Sequence, residues 1–241
     1  MINLKVLGID TSTKSISVAI CNDDEIIGEY FVNSTLAHSC TLLPMIDNLL
    51  KSTKISLDDI DAFAVTNGPG SFTGVRIGVS TVKGMALALD KPCVTVSTLE
   101  AIAYNLVDTD CIAFPTIDAR GGRVYAALFE IRAGKIKRIM DDQVIFLSDI
   151  GEKLLNLKEK IILLGDGADL CYNKKGCVGV DVNVTSLSKR FCRASTVATI
   201  GRQSVILGKV FSADEIVPKY IVPSQAERER MAKLNITENC R

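Results

Sequence analysis

The order of strand-like and helix-like segments constrains this chain most, because it runs the same way twice. Residues 4–10, 15–21 and 26–33 are short apolar or alternating runs, bounded by Thr11-Ser-Thr-Lys14 and Asn22-Asp-Asp24, as three consecutive strands would be. A helix is expected over 41–52, where Leu42, Leu43, Met45, Ile46, Leu49 and Leu50 share an arc of about 160°. Pro44 fits there if it lies in the first turn, whose N–H groups lack helical partners anyway. Ser56 with Asp59 marks a short helical start, 62–66 a strand, 73–89 a second helix, 93–96 a strand and Thr98 the start of a third helix. Strands then restart at 111–118, 124–131 and 135–145, followed by a helix at 147–157, a strand at 161–164 and a helix at 195–207. A polar stretch, 225–241, follows. The pattern predicts an α/β protein made of two βββαβαβα units, residues 1–106 and 107–241. No low-complexity linker separates them, so the halves should pack tightly.

Composition narrows the class. Lys and Arg number 28 against 28 Asp and Glu, and a chain of zero net charge is no general polyanion binder. Residues 1–100 carry four more acids than bases and residues 101–241 the reverse. That asymmetry is either surface variation or a sign of different partners. At this length about 70% of the unfolded chain's surface is buried on folding, so the core needs no staples. The eight cysteines form no C-x-x-C pair, and Cys21, Cys93 and Cys111 sit in apolar runs. Met1–Asp10 lacks the apolar core of a signal peptide, so buried, reduced thiols in a cytoplasmic protein are expected. The most apolar stretch, 75–89, is short and carries Arg76 and Lys83, which excludes a membrane span there.

Three turns could carry chemistry. The first strand ends Gly8-Ile-Asp10-Thr11-Ser12-Thr13, a carboxylate and hydroxyls suited to a magnesium-bound phosphate. Ile117-Asp118-Ala-Arg-Gly-Gly122 repeats the arrangement, and Gly165-Asp-Gly167-Ala168 would let a ligand approach the backbone. Each is also ordinary turn chemistry. Together, in this order, they resemble the nucleotide cleft of the actin-like (ASKHA, RNase H-like) ATPase superfamily, so a small ATPase or kinase using Asp10 and Asp118 with Mg-ATP is one reading. The Gly68–Gly74 loop either offers N–H groups to an anion or simply punctuates; Val75-Arg76 replaces the Lys-Ser/Thr of a P-loop.

The helix at 73–89 has one broad apolar face, Val75, Val79, Val82, Met85, Ala86 and Leu89, with small residues at Gly74, Gly78, Gly84 and Ala88. It is either a core helix or one shared with a partner. His38 is the sole histidine, so no paired-histidine metal site exists, and Ser39 beside it suits a helix cap better than a nucleophile.

Leu7-Gly-Ile-Asp-Thr-Ser-Thr13, His38-Ser-x-x-Leu-Leu-Pro44 and Thr66-Asn-Gly-Pro-Gly-Ser-Phe-Thr-Gly-Val-Arg-Ile-Gly78 resemble the TsaB (YeaZ) family, as do Lys83-Gly84, Ser97-Thr-Leu-Glu-Ala101, Ile117-Asp-Ala-Arg120 and Gly165-Asp-Gly-Ala168. The resemblance covers essentially the whole chain. It implies a duplicated actin-like fold and a role in making N6-threonylcarbamoyladenosine beside the tRNA anticodon. It also implies a noncatalytic subunit that binds a TsaD-type transferase and a TsaE-type ATPase and reaches tRNA through that complex; separately, an apolar helical surface lacking its partner could pair with a second copy, so a homodimer in isolation is a further reading. The catalytic sisters hold metal with H-x-x-x-H, which a chain with only His38 lacks. No cofactor of its own is implied, Mg-ATP being used by the partner complex, and peptidase activity is not expected.

The family's interface uses the first two main helices, on the order of 1,600 Å² or more in such a contact. Mapped here, it would use Leu42, Met45, Ile46, Leu49, Val75, Gly78, Val79, Val82, Met85 and Ala86. The implied vestigial nucleotide cleft comprises Asp10, Thr11, Ser12, Asp118, Gly165 and Gly167. One departure stands out: Pro218-Lys-Tyr-Ile-Val222 has Val222 where the family often has Arg, although Ser224-Gln-Ala-Glu227 keeps the rest.

Overall fold

A computed structural model describes residues 3–222, apart from positions 35, 158, 174, 175 and 178. The stretches 224–227 and 225–241 singled out above lie outside the described residues.

The first half runs β1 (Lys5–Asp10), β2 (Ser15–Asn22), β3 (Glu25–Asn33), α1 (His38–Thr53), β4 (Ala62–Gly68), α2 (Phe72–Leu89), β5 (Cys93–Ser97) and α3 (Thr98–Tyr104). The second runs β6 (Cys111–Arg120), β7 (Arg123–Arg132), β8 (Lys135–Phe146), α4 (Ile150–Leu154), β9 (Ile161–Leu164), α5 (Ala168–Asn173), β10 (Val182–Val184), α6 (Leu187–Arg190) and α7 (Ala194–Ile206). Each half forms a five-stranded sheet, ordered β3-β2-β1-β4-β5 and β8-β7-β6-β9-β10, so the strand order is duplicated. In both, the first three strands are antiparallel neighbours and the last two add in parallel.

Period-two alternation puts successive side chains on opposite faces, and this builds the layers. From β1, Leu7 and Ile9 pack with Leu42, Ile46, Leu49, Val75, Val79 and Val82 of α1 and α2. Val6 of β1 instead joins Ala64, Val94, Leu99, Ile102, Val197 and Ala198 in the central cluster. That cluster continues into Ala113, Ile117, Ala127 and Phe129 of the second sheet. A third cluster lines the far face of the second sheet against Ile150, Leu154 and Cys171. The order is helices, sheet, helices, sheet, helices, with α3 and α7 in the middle.

Although it is the last helix of the described residues, α7 lies on the first sheet. Ala194 N donates to Ser17 Oγ at 2.7 Å. Glu29 of β3 accepts from Arg193 Nη2 at 2.7 Å and from Ser195 N at 3.1 Å. A second clasp joins β8 to α3: Ser97 Oγ donates to Asp142 at 2.7 Å, and Arg138 bridges Asp142 and Glu100.

Two local expectations are corrected. α1 starts at His38, so Pro44 lies inside the helix rather than in its first turn. The early start is anchored by His38 Nε2, 2.8 Å from the Thr13 carbonyl oxygen. Consequently Ala37, with no side-chain cap, precedes the helix, and Ser39 is not its cap. By contrast Ser71 does cap α2, accepting from Gly74 N at 3.3 Å, and Ser56 with Asp59 forms a capping box. Seven cysteines (21, 40, 93, 111, 171, 177 and 192) are free thiols, five of them buried. No helix of the described residues is long and apolar enough to cross a membrane.

Candidate functional site

The turns that follow β1, β6 and β9 meet the N-terminus of α2 around a cavity of about 760 Å³. Ser12, Thr13 and Lys14 come from the first turn, Asp118 and Arg120 from the end of β6, Arg123 and Tyr125 from β7, and Asp166 from the third turn. Gly70, Ser71, Phe72 and Thr73 close the α2 side, and Val222 the edge. The three turns converge because β1 and β6 occupy the same central position in two sheets of identical order.

The cavity does not contain all the residues expected there. Asp10 is fully buried and absent from the lining: its Oδ1 accepts from Ser12 N, Ser12 Oγ (2.5 Å) and Thr66 Oγ1 (2.7 Å). Those contacts engage Oδ1 alone; Oδ2 is buried with no hydrogen-bond partner among the described residues. Burial, and then the neighbouring Asp10 carboxylate, push the Cys192 thiol well above its ordinary range. Thr11 is equally committed, donating from Oγ1 to the Gly74 carbonyl at 2.7 Å. Gly165 and Gly167 serve packing rather than ligand approach. A Cβ on Gly165 would lie 2.0 Å from the Thr116 carbonyl oxygen, and one on Gly167 3.1 Å from Thr116 atoms. Of the expected set, only Ser12 and Asp118 line the cavity. Asp10 and Asp118 therefore do not line the cavity together.

Asp166 is the unexpected member. Its Oδ1 accepts from Asp118 N at 3.2 Å, and its carboxyl is pushed up to about 6, by burial first and then by the Asp118 and Asp10 charges. Asp118 Oδ1 in turn accepts from Arg120 N at 2.7 Å. Lys14, Arg120, Arg123 and Asp166 stand within or next to the quoted motifs, but their convergence needs both sheets in place. Also unforeseen is a strap that runs back over α2. Tyr220 stacks on Phe72 with centroids 4.5 Å apart, and Arg76 Nε donates to its hydroxyl at 2.6 Å. The strap carries Val222 to the cavity edge.

The interface residues mapped onto α1 and α2 need a correction of another kind. Leu42, Met45, Ile46, Leu49, Val75, Val79, Val82 and Ala86 are buried in the chain's own core, and Gly78 with them. A Cβ on Gly78 would lie 2.4 Å from Thr11 Oγ1, so this small residue serves an internal close approach. Met85 is half-buried. Such side chains cannot meet a partner while the sheet covers them. The opposite faces are open: Leu43 is 58% and Leu87 68% exposed, and a Cβ on Gly84 would meet nothing within 4 Å. Apolar periodicity identified both helices correctly but chose the face that the sheet had already claimed.

Among the described residues no histidine-assisted nucleophile is assembled. His38 Nε2 meets the Thr13 carbonyl oxygen, whereas Ser39 Oγ has Cys40 Sγ as its neighbour at 4.0 Å.

Two sheets of one strand order, packed through a shared helical layer with a cleft between equivalent turns, define a duplicated actin-like α/β protein. The family model described as TsaD, tRNA N6-adenosine threonylcarbamoyltransferase, matches residues 26–235. The tRNA threonylcarbamoyladenosine biosynthesis protein TsaB of Bacillus subtilis is 30% identical over 225 residues, 93% of this chain and 96% of the relative. The Escherichia coli protein of the same name is 34% identical, over 68% of this chain and 72% of its own length. A Pseudomonas aeruginosa structure, described as an uncharacterized protein with similarity to peptidase YeaZ, superposes with a TM-score of 0.80 at 24% identity. It covers 91% of this chain and 100% of its own, and shows the shared fold. The chain belongs to the TsaB (YeaZ) family.

Proposed function

We propose that this chain acts in tRNA threonylcarbamoyladenosine biosynthesis as a noncatalytic subunit, pairing with a TsaD-type threonylcarbamoyltransferase through the outer faces of α1 and α2. The observation that carries the role is the near full-length match to the Bacillus subtilis TsaB protein. The pairing surface is supported by exposed Leu43 and Leu87 beside Gly84 and Ala88, whose small side chains allow a second helix to approach closely. The noncatalytic assignment is supported by the sequence, whose single histidine cannot supply the H-x-x-x-H ligands of a TsaD-type metal site. On this reading Mg-ATP is used by the partner complex, a TsaE-type ATPase joins it, tRNA is reached through it, and the free chain self-associates through the same face.

The test mixes this chain with the TsaD-type subunit of the same cell and follows the complex by size-exclusion chromatography with light scattering. A stable complex is expected, and Leu43→Lys or Leu87→Lys should each weaken it at least about tenfold while leaving the chain folded. A complex that both variants leave intact overturns the interface. No complex with the wild-type chain, with or without nucleotide and the ATPase, overturns the pairing itself.

A further inference from the structure

Leu43, Gly84, Leu87 and Ala88, on which the pairing surface rests, all lie outside the motif 66–78. Folding divides that motif between two neighbours. Thr66 donates to Asp10, Ser71 N donates to the Ser12 carbonyl oxygen at 2.7 Å, and the Gly74 carbonyl accepts from Thr11, so these residues hold the first turn. The others hold the strap, residues 209–222. The Asn67 carbonyl oxygen accepts from Lys219 N at 2.7 Å, and Asn67 Nδ2 donates to the Val217 carbonyl at 3.4 Å. Phe72 stacks on Tyr220, while Arg76 donates to the Tyr220 hydroxyl and lies 5.3 Å from its ring centroid. Gly68, at φ of 121°, leaves the place of a Cβ to the Lys219 carbonyl oxygen. A side chain there would push the strap away.

The strap itself has an anchored part and a lightly held part. Phe211 and Cys93 exchange two backbone hydrogen bonds at the edge of β5, and Ala213 and Ile216 are buried in the cluster beneath α1 and α2. From 217 to 222 no residue is buried: Val217 is 59% and Tyr220 40% exposed, and Ile221 and Val222 rest only partly on the central cluster. A segment with few buried apolar contacts opens locally at a free energy well below that of global unfolding. Under it, Pro69, Gly70, Phe72, Val75 and Tyr125 line a small closed space whose lining the strap completes. Gly70, Phe72 and Tyr125 line the main cavity as well, so the two spaces share a wall.

We propose that residues 217–222 are a latch that swings open about Ile216 while the rest of the chain stays folded, joining the closed space to the main cavity from its side. Tyr220, held between Phe72 and Arg76, is the catch, and the strap-facing residues of the motif are its seat. The latch does not rest on the pairing proposed above.

The experiment is amide hydrogen exchange of the full chain, followed by NMR at rising urea below the unfolding transition. Lys219 N–H should exchange at least about a hundredfold faster than the amides of central strand β4, at a rate nearly independent of urea, as an opening that exposes little surface requires. Tyr220→Ala should speed Lys219 about tenfold and leave Phe211 and the β4 amides unchanged, and Tyr220→Phe, which keeps the ring and loses the Arg76 bond, should speed it less. Access to the space beneath is read by Val75→Cys in a Cys40→Ser, Cys240→Ser background. Its reaction with a small thiol reagent should quicken by the same factor when Tyr220→Ala is added. Exchange of Lys219 only through global unfolding, a Tyr220→Ala effect that is absent or equal in β4, or labelling of Val75→Cys indifferent to Tyr220→Ala overturns the latch.

Discussion

Glu29 decides whether α7 can hold the two halves together. It sits on β3, 13% exposed as a side chain, and accepts four contacts from the start of α7: Arg193 Nε and Nη2, Ser195 N and Ser195 Oγ. Arg193 also lies over the Phe31 ring, 4.5 Å from its centroid. α7 has no side-chain cap of its own, so Glu29 caps it from another element. Hydrogen bonds to a charged group contribute about 1.5–3 kcal/mol and a helix cap about 1 kcal/mol. These contributions share one carboxylate and do not add fully. Glu29→Ala is therefore expected to cost about 3 kcal/mol, and Glu29→Gln, which keeps an acceptor for Ser195 N, about 1–2 kcal/mol. For a chain of this size, 3 kcal/mol corresponds to a Tm lower by about 6–12 °C. Urea and thermal unfolding, with a double-mutant cycle against Arg193→Met, would measure both the loss and its coupling. A Glu29→Ala loss under about 0.5 kcal/mol, or no coupling to Arg193, would refute this account of how α7 is held.

Three further outcomes follow from named contacts. Because the Asp166 carboxyl is raised to about 6, ionising it costs the folded state. The associated stability is present at low pH and is lost as pH rises through 6. Asp166→Asn should then raise stability by on the order of 2–3 kcal/mol at pH 7.5 and by only about 1 kcal/mol at pH 4.5, and equal urea-midpoint shifts at both pH values would contradict this. Val79→Glu places a carboxylate at a site 2% exposed and should cost several kcal/mol or abolish folding, whereas Leu87→Glu on the same helix should change stability by under about 0.5 kcal/mol. Circular dichroism melts of the two variants decide between a core face and an interface face. Thr66→Val removes one hydrogen bond to buried Asp10 and should cost about 1–3 kcal/mol; a neutral effect would mean that Asp10 is satisfied otherwise.

How far the chain could be read before folding depended on range. Residues 4–10, 15–21, 62–66 and 161–164 declared themselves as strands because alternation and turn chemistry are local, and the structure moves their ends by at most a few residues. The order of the segments implied the duplication, and the motif 66–78 with its companions implied the family. The short elements α5, β10 and α6 carried too few residues to show a period. The face of α2 that meets the sheet and the face left open could not be told apart, since an apolar arc looks the same whether the chain or a partner covers it.

What the sequence by itself determined, then, was the alternation of strands and helices, their repetition, and the absence of a paired-histidine metal site. Tertiary structure alone decided that Asp10 Oδ1 is met by Ser12 and Thr66, while Lys14, Arg120 and Arg123 line one cavity without a carboxylate partner among the described residues. It also decided that α7 crosses to the first sheet, where Glu29 meets it from 166 positions before Ser195. The physical reason is separation. Periodicity, caps and turns act over a few residues, whereas burial and charge pairing are set by groups that only the packed sheets bring together.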